Sequence, residues 1–217
     1  MGYATTRFFT GLLAILPIGT FQCARAASAP AADTIRACIN SDPQLSGVTL
    51  AFSQINASRL LAGAGVKIEW HTHAPSLCRG PQKVRTLILD FVNDKPSTYL
   101  PNSLAYTLPY EGVHILVFYD RIQKLGGGHS KQESAVLGHV MAHEIAHILQ
   151  GVSRHSRTGI MKAIWSNDEL REMYDKPLSF EPQDIKLIEL GLENVGQFIV
   201  LSDLSSRRSR PHVQAKR

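Results

Sequence analysis

Beyond its first 25 positions the 217-residue chain has no run of about 18 apolar residues, which excludes a protein with several membrane spans. Aromatic residues are few, at 7%, and there is no internal repeat and no second block of distinct composition. The 44% of hydrophobic and 19% of charged residues are ordinary for a soluble globular chain, so a collagenous, low-complexity or wholly disordered protein is excluded as well. The length suits one domain, or at most two small ones, with a core of its own. Cysteine is also scarce, with three in the chain.

The two ends read differently from the body. Arg7 precedes a short apolar run over residues 8–21 that Pro17 interrupts, and Ala24-Arg25-Ala26 offers small residues where a signal peptidase cuts. This predicts an export signal over residues 1–26, with secretion or periplasmic delivery. A retained anchor is the rival, though the run is short for a span. Cys23 lacks a lipobox and leaves with the signal, so Cys38 and Cys78 remain. In an oxidising compartment they are expected to form one disulfide. The alternative for Cys38, a cysteine that blocks a metal, finds no support in its neighbours Arg36, Ala37, Ile39 and Asn40.

The formal charge of +5 belongs to these ends. Arg7 and Arg25 lie in the signal, and Arg207, Arg208, Arg210, Lys216 and Arg217 lie in a tail over residues 205–217 that holds no acid. The body between, residues 27–204, is slightly acidic. The tail is expected to be a solvated terminus, with contact to an anionic surface as the alternative.

Within the body, Leu50, Phe52, Ile55, Leu60 and Leu61 recur at roughly helical spacing over residues 45–62, and glycines end the run. Val66, Ile68 and Trp70 alternate with polar residues as a half-buried strand does. Residues 84–92 and 113–119 are further strand candidates, with a loop or irregular edge between them. Gly126, Gly127, Gly128 and His129 read as a flexible loop. Ser130 and Glu133 then match a capping box, and apolar residues follow on most sides up to Leu149, predicting a helix buried through the domain centre. Gly151 suits a left-handed stop.

That helix carries His143-Glu144-Ile145-Ala146-His147. Positions i and i+4 share a helix face, so two imidazoles can grip one Zn2+ side by side. Glu144 projects beside the metal, where it can act as general base. Unpaired imidazoles and a carboxylate among buried residues are costly without such a role. A catalytic zinc site needs a third protein ligand, and His155, four residues past Gly151, is the leading candidate. A carboxylate from the next segment is the rival: Asp168, Glu169 or Glu172. Yet Ser166 to Glu169 reads equally as a helix cap with acidic first-turn residues. His139 lies one turn before His143 and is expected to be packed or hydrogen-bonded. Trp165 and Tyr174 are expected in the core, and His71, His73, His114 and His129 at the surface or an edge.

With His143, Glu144, His147, Gly151, His155, Ser156 and Met161 in this order, the sequence resembles the metzincin metallopeptidases, and among them the matrixin-like ones. Residues 179–188 resemble that family's C-terminal helix. Gly151 comes one residue later and His155 two residues later than in the family pattern, so the ligand loop is two residues longer. The resemblance implies an α+β zincin-like domain, with a twisted mixed sheet packed on the active-site helix. It also implies a turn with Met161 beneath the metal and a C-terminal helix near 182–190. The expected activity is zinc-dependent hydrolysis of peptide bonds in a peptide or protein substrate. No specific nucleic-acid partner and no membrane span after signal removal are expected, and the protein is read as a monomer. A silent zincin fold, binding metal or a partner without catalysis, is the alternative. Residues 27–45 are too short for a conventional inhibitory prodomain.

Overall fold

The structure, a computed structural model, describes Gly2 and residues 34–40, 45–72, 78, 85–93, 103–107 and 113–194. The chain divides into two units, Met1–Ala31 and Ala32–Arg217, and every element described belongs to the second. Apart from Gly2, the expected export signal lies outside the described residues, as do His73 and the basic tail.

The elements follow in the order β1 (Thr34–Asn40), α1 (Gly47–Ala62), β2 (Lys67–Thr72), β3 (Thr86–Val92), β4 (Ala105–Thr107), β5 (His114–Phe118), α2 (Tyr119–Gly126), α3 (Ser130–Gln150) and α4 (Asn167–Glu172). A last helix, α5, runs over residues 182–194. The strands form one mixed sheet in the order β2-β1-β3-β5-β4. All neighbours are parallel except β4, which runs antiparallel to β5. This is the α+β architecture, a mixed sheet on a central helix, that the sequence implies.

Alternation builds the sheet's inner face. In β3, Leu87, Leu89 and Phe91 are buried while their neighbours are less so. Register sets them beside their counterparts: Ala37 opposite Leu87, Ile39 opposite Leu89, then Leu89 opposite Ile115 and Phe91 opposite Val117. These side chains share one core with α1 and α3. Each buried Leu, Ile or Phe contributes about 1.5–3 kcal/mol. Cys38 is joined to Cys78 by the expected disulfide, with Cα atoms 6.0 Å apart. It is therefore not free to block a metal.

Several local expectations are corrected. The buried stripe of α1 is Thr49, Leu50, Ser53, Ala57 and Leu61, whereas Phe52 and Ile55 are exposed. Small residues face inward because α3 passes very close: a Cβ on Gly138 would lie 2.7 Å from Asn56 Cβ. Residue 126 ends a helix rather than opening a loop, and Tyr119, Ile122 and Gly126 are that helix's buried face. The capping box at Ser130 does not form. The N-cap is His129, without a side-chain bond, and Glu133 instead accepts a hydrogen bond from the buried Tyr119 hydroxyl. The capping box that does form is at Ser166 and Glu169, at the start of α4. Tyr174 is exposed beneath Lys131, whose ammonium lies 5.6 Å from the ring centre, so it is not a core residue.

Candidate metal centre

Helix α3 is buried along nearly its whole length, from Glu133 to Gln150. Placing two imidazoles and a carboxylate on such a helix removes them from water, so each must find a partner or stay neutral. Burial, together with the neighbouring imidazoles, holds His143 down to about 3. Burial and the neighbouring His155 hold His147 down to about 4. His155 is also lowered by burial, though it is the exposed member of the three. All three are therefore neutral at pH 7, the form in which an imidazole can ligate a metal.

The tautomers are fixed by backbone carbonyls. His143 Nδ1 donates to the carbonyl of Ile160 at 2.7 Å, and His147 Nδ1 donates to that of Val152 at 3.2 Å. A neutral ring that donates through Nδ1 carries its lone pair on Nε2. Those Nε2 atoms are only 3.0 Å apart, and His147 Nε2 is 3.3 Å from His155 Nε2. Lone pairs of neutral rings at that distance repel unless an electrophile lies between them. Ligand nitrogens about 2.0–2.1 Å from a tetrahedral zinc are themselves about 3.3 Å apart, close to the separations found here. The donor set and its spacing thus fit zinc, and three histidines leave a fourth position for water or substrate.

The chain reaches this arrangement through two turns. Gly151 ends α3 at φ 66°, with its N–H on the His147 carbonyl at 3.0 Å, which reverses the chain towards His155. Ser156 N–H then donates to the Met161 carbonyl at 2.7 Å, and Ile160 N–H donates to the Ser179 carbonyl at 2.9 Å. Met161 is fully buried and sits in the turn that follows, one residue after the carbonyl that orients His143.

Among the described residues, His143, His147 and His155 are the one group of His, Cys, Asp or Glu side chains close enough to share an ion. The rival carboxylates are engaged elsewhere. Asp168 pairs with Arg171, Glu172 with Lys176 at 3.1 Å, and Glu169 with Lys162 at 2.7 Å while also closing its capping box. Glu144 is almost buried, and desolvation pushes its carboxyl up to about 8. His139 is packed and bonded on both sides as expected, with Nδ1 donating to Ala135 O at 2.8 Å and Nε2 accepting from Leu178 N–H at 3.0 Å. Trp165 is half-buried and meets His143 edge-on, ring centres 5.7 Å apart. Its indole N–H donates to the Gly159 carbonyl at 3.3 Å.

The sequence reading passed over Asp184, which is fully buried and ion-paired with Arg154 at 2.6 Å. It also passed over the carbonyls of Ile160 and Val152. Asp184 could have been noticed as the acid in the first turn of the helix that opens at Pro182, but the carbonyls leave no mark in a sequence.

No family model matches the chain, and no curated protein matches it. Among solved structures it is similar to archaemetzincin from Methanopyrus kandleri, at 15% identity over 77% of this chain and 99% of that one, with a TM-score of 0.48.

Proposed function

We propose that the protein is a metzincin-type zinc metallopeptidase that hydrolyses peptide bonds, with His143, His147 and His155 as ligands and Glu144 as general base. The convergence of three neutral imidazoles on one point, two of them locked by backbone carbonyls, is the observation that carries this reading. A zinc ion held there supplies Lewis acidity to the scissile carbonyl and makes a neighbouring water acidic near neutral pH.

The chain's own residues do the rest. The Ile160 and Val152 carbonyls keep the Nε2 lone pairs of His143 and His147 turned towards the cluster. Glu144 takes a proton from the attacking water and delivers it to the departing amine. Burial pushes its carboxyl up to about 8, and a positive charge beside it would favour the carboxylate that accepts the proton. Simple metal storage has no use for that carboxylate.

Export is part of the proposal. The short apolar N-terminal run followed by Ala24-Arg25-Ala26 supports it, and the Cys38–Cys78 disulfide suits an oxidising compartment.

Digestion of a diverse peptide library by the zinc-loaded protein, read by mass spectrometry beside Glu144→Ala, tests the reading. Cleavage that vanishes in the variant is expected, and its sites give the subsite preference. Cleavage that persists in a clean Glu144→Ala preparation overturns the role given to Glu144. An absence of cleavage by the zinc-loaded protein counts against the peptidase and for the silent fold.

A further inference from the structure

His155 differs from the other two ligands in how it is held. His143 and His147 stand on a buried helix and have their Nδ1 atoms fixed by carbonyls. His155 is exposed, lies in a stretch without regular structure after the glycine cap, and contacts the cluster through Nε2. Among the described residues no hydrogen bond to its Nδ1 is found. Neither helix geometry nor a ring hydrogen bond therefore sets this imidazole, and its backbone must be set from outside.

One side chain holds both neighbours of His155. Asp184, fully buried in the first turn of α5, accepts through Oδ1 from Arg154 Nη1 at 2.6 Å and from Ser156 Oγ at 2.6 Å. Its Oδ2 accepts from the Glu181 N–H at 3.2 Å, which fixes the carboxylate to the start of α5. Gln150 Nε2 donates to the Asp184 carbonyl at 3.4 Å, and Arg154 Nη2 also donates to Gln183 Oε1 at 3.3 Å. The end of α3, the ligand loop and the start of α5 thus meet at one residue.

We propose that Asp184 is the positioning residue of the metal centre: by gripping Arg154 and Ser156, it fixes the backbone of His155 so that its imidazole meets those of His143 and His147. A ligand on an unbraced loop must be ordered as the ion binds, and that entropy is lost from the affinity. The brace meets the cost when the chain folds. The inference rests on the reading of His155 as the third ligand.

The test uses the full chain and two readouts besides activity: zinc affinity by competition with a chromophoric chelator, and the visible spectrum of the cobalt-substituted protein. Asp184→Asn and Ser156→Ala are expected to weaken zinc binding by about 10- to 100-fold and to shift the cobalt spectrum. Ser156→Ala, which leaves the Arg154 ion pair in place, should do so with an unchanged melting temperature of the metal-free chain. It keeps the test open even if Asp184→Asn fails to fold. In a His155→Ala background, adding Ser156→Ala should change neither readout. Equal weakening by Ser156→Ala in both backgrounds, or none in either, overturns the brace. If His155→Ala itself leaves zinc affinity unchanged, the ligand assignment beneath the proposal falls instead.

Discussion

His143 Nδ1 lies 2.7 Å from the carbonyl oxygen of Ile160, so the residue before Met161 orients the first imidazole of the cluster. Ile160 is held in turn by its N–H on the Ser179 carbonyl. The chain can pass there because Gly159 adopts φ 74° and carries no Cβ, which would otherwise run into the Ser179 carbonyl oxygen. Gly159→Ala is expected to cost about 1–3 kcal/mol of stability. By moving Ile160 it should also weaken zinc binding by about 10-fold. Urea unfolding of the metal-free protein and chelator competition measure the two effects. An unchanged affinity would detach this turn from the metal centre.

Replacing Glu144 with Ala should leave one zinc per chain and lower turnover by about 100- to 10,000-fold, the contribution of a positioned general base. Metal content by atomic absorption and peptide hydrolysis on the same preparation check both halves. Loss of the metal along with the activity would move Glu144 from base to structural support.

The metal-free protein should be most stable near pH 6.5. The folded state holds the Glu144 proton up to about 8, against an ordinary value of 4.5, so this group adds stability as pH falls from 8. His143 and His147 are held down to about 3 and 4, against 6.5 in the unfolded chain, so their contribution is lost as pH falls below 6.5. In Glu144→Gln the gain between pH 8 and 6.5, about 1–2 kcal/mol, should be absent. Unfolding midpoints of both proteins across this range give the comparison. A wild-type stability that stays flat between pH 8 and 6.5 contradicts the assignment to Glu144.

Reduction of the Cys38–Cys78 disulfide, which spans a sequence separation of 40, should lower stability by about 2–4 kcal/mol. Zinc affinity should not change, since neither sulfur belongs to the histidine cluster. Denaturant unfolding and zinc titration with and without reductant separate these outcomes. A loss of zinc on reduction would tie the disulfide to the metal centre.

Those features that depend on repeated side-chain chemistry were legible in the sequence. The burial of α3 follows from its apolar residues, and the pair of imidazoles on one face follows from i, i+4 spacing. The left-handed stop at Gly151 and the pairing of Cys38 with Cys78 were legible for the same kind of reason. Where two local readings competed, tertiary packing chose. Ser130 could have capped α3, but Tyr119 from α2 claims Glu133. At Ser166 the box closes even though Glu169 also pairs with Lys162, because its carboxylate can accept from both. In α1 the spacing of Phe52 and Ile55 pointed to burial, yet the close passage of α3 favours Ser53 and Ala57 on the inner face. Helix α2 was hidden because three consecutive glycines suggested a loop, although Gly126 is its last, buried turn. The sheet order was out of reach, since β1 pairs with β3 and β3 with β5 across long intervening segments. The carbonyls of Val152 and Ile160 were equally hidden, because every residue has one.

Zinc titration of the metal-free protein, in the wild type and in His143→Ala, His147→Ala and His155→Ala, tests the central claim most directly. The account predicts one zinc per chain in the wild type and a marked loss of affinity in each of the three variants. Failure of the wild type to bind zinc, or full affinity in any of the variants, would contradict the three-histidine site.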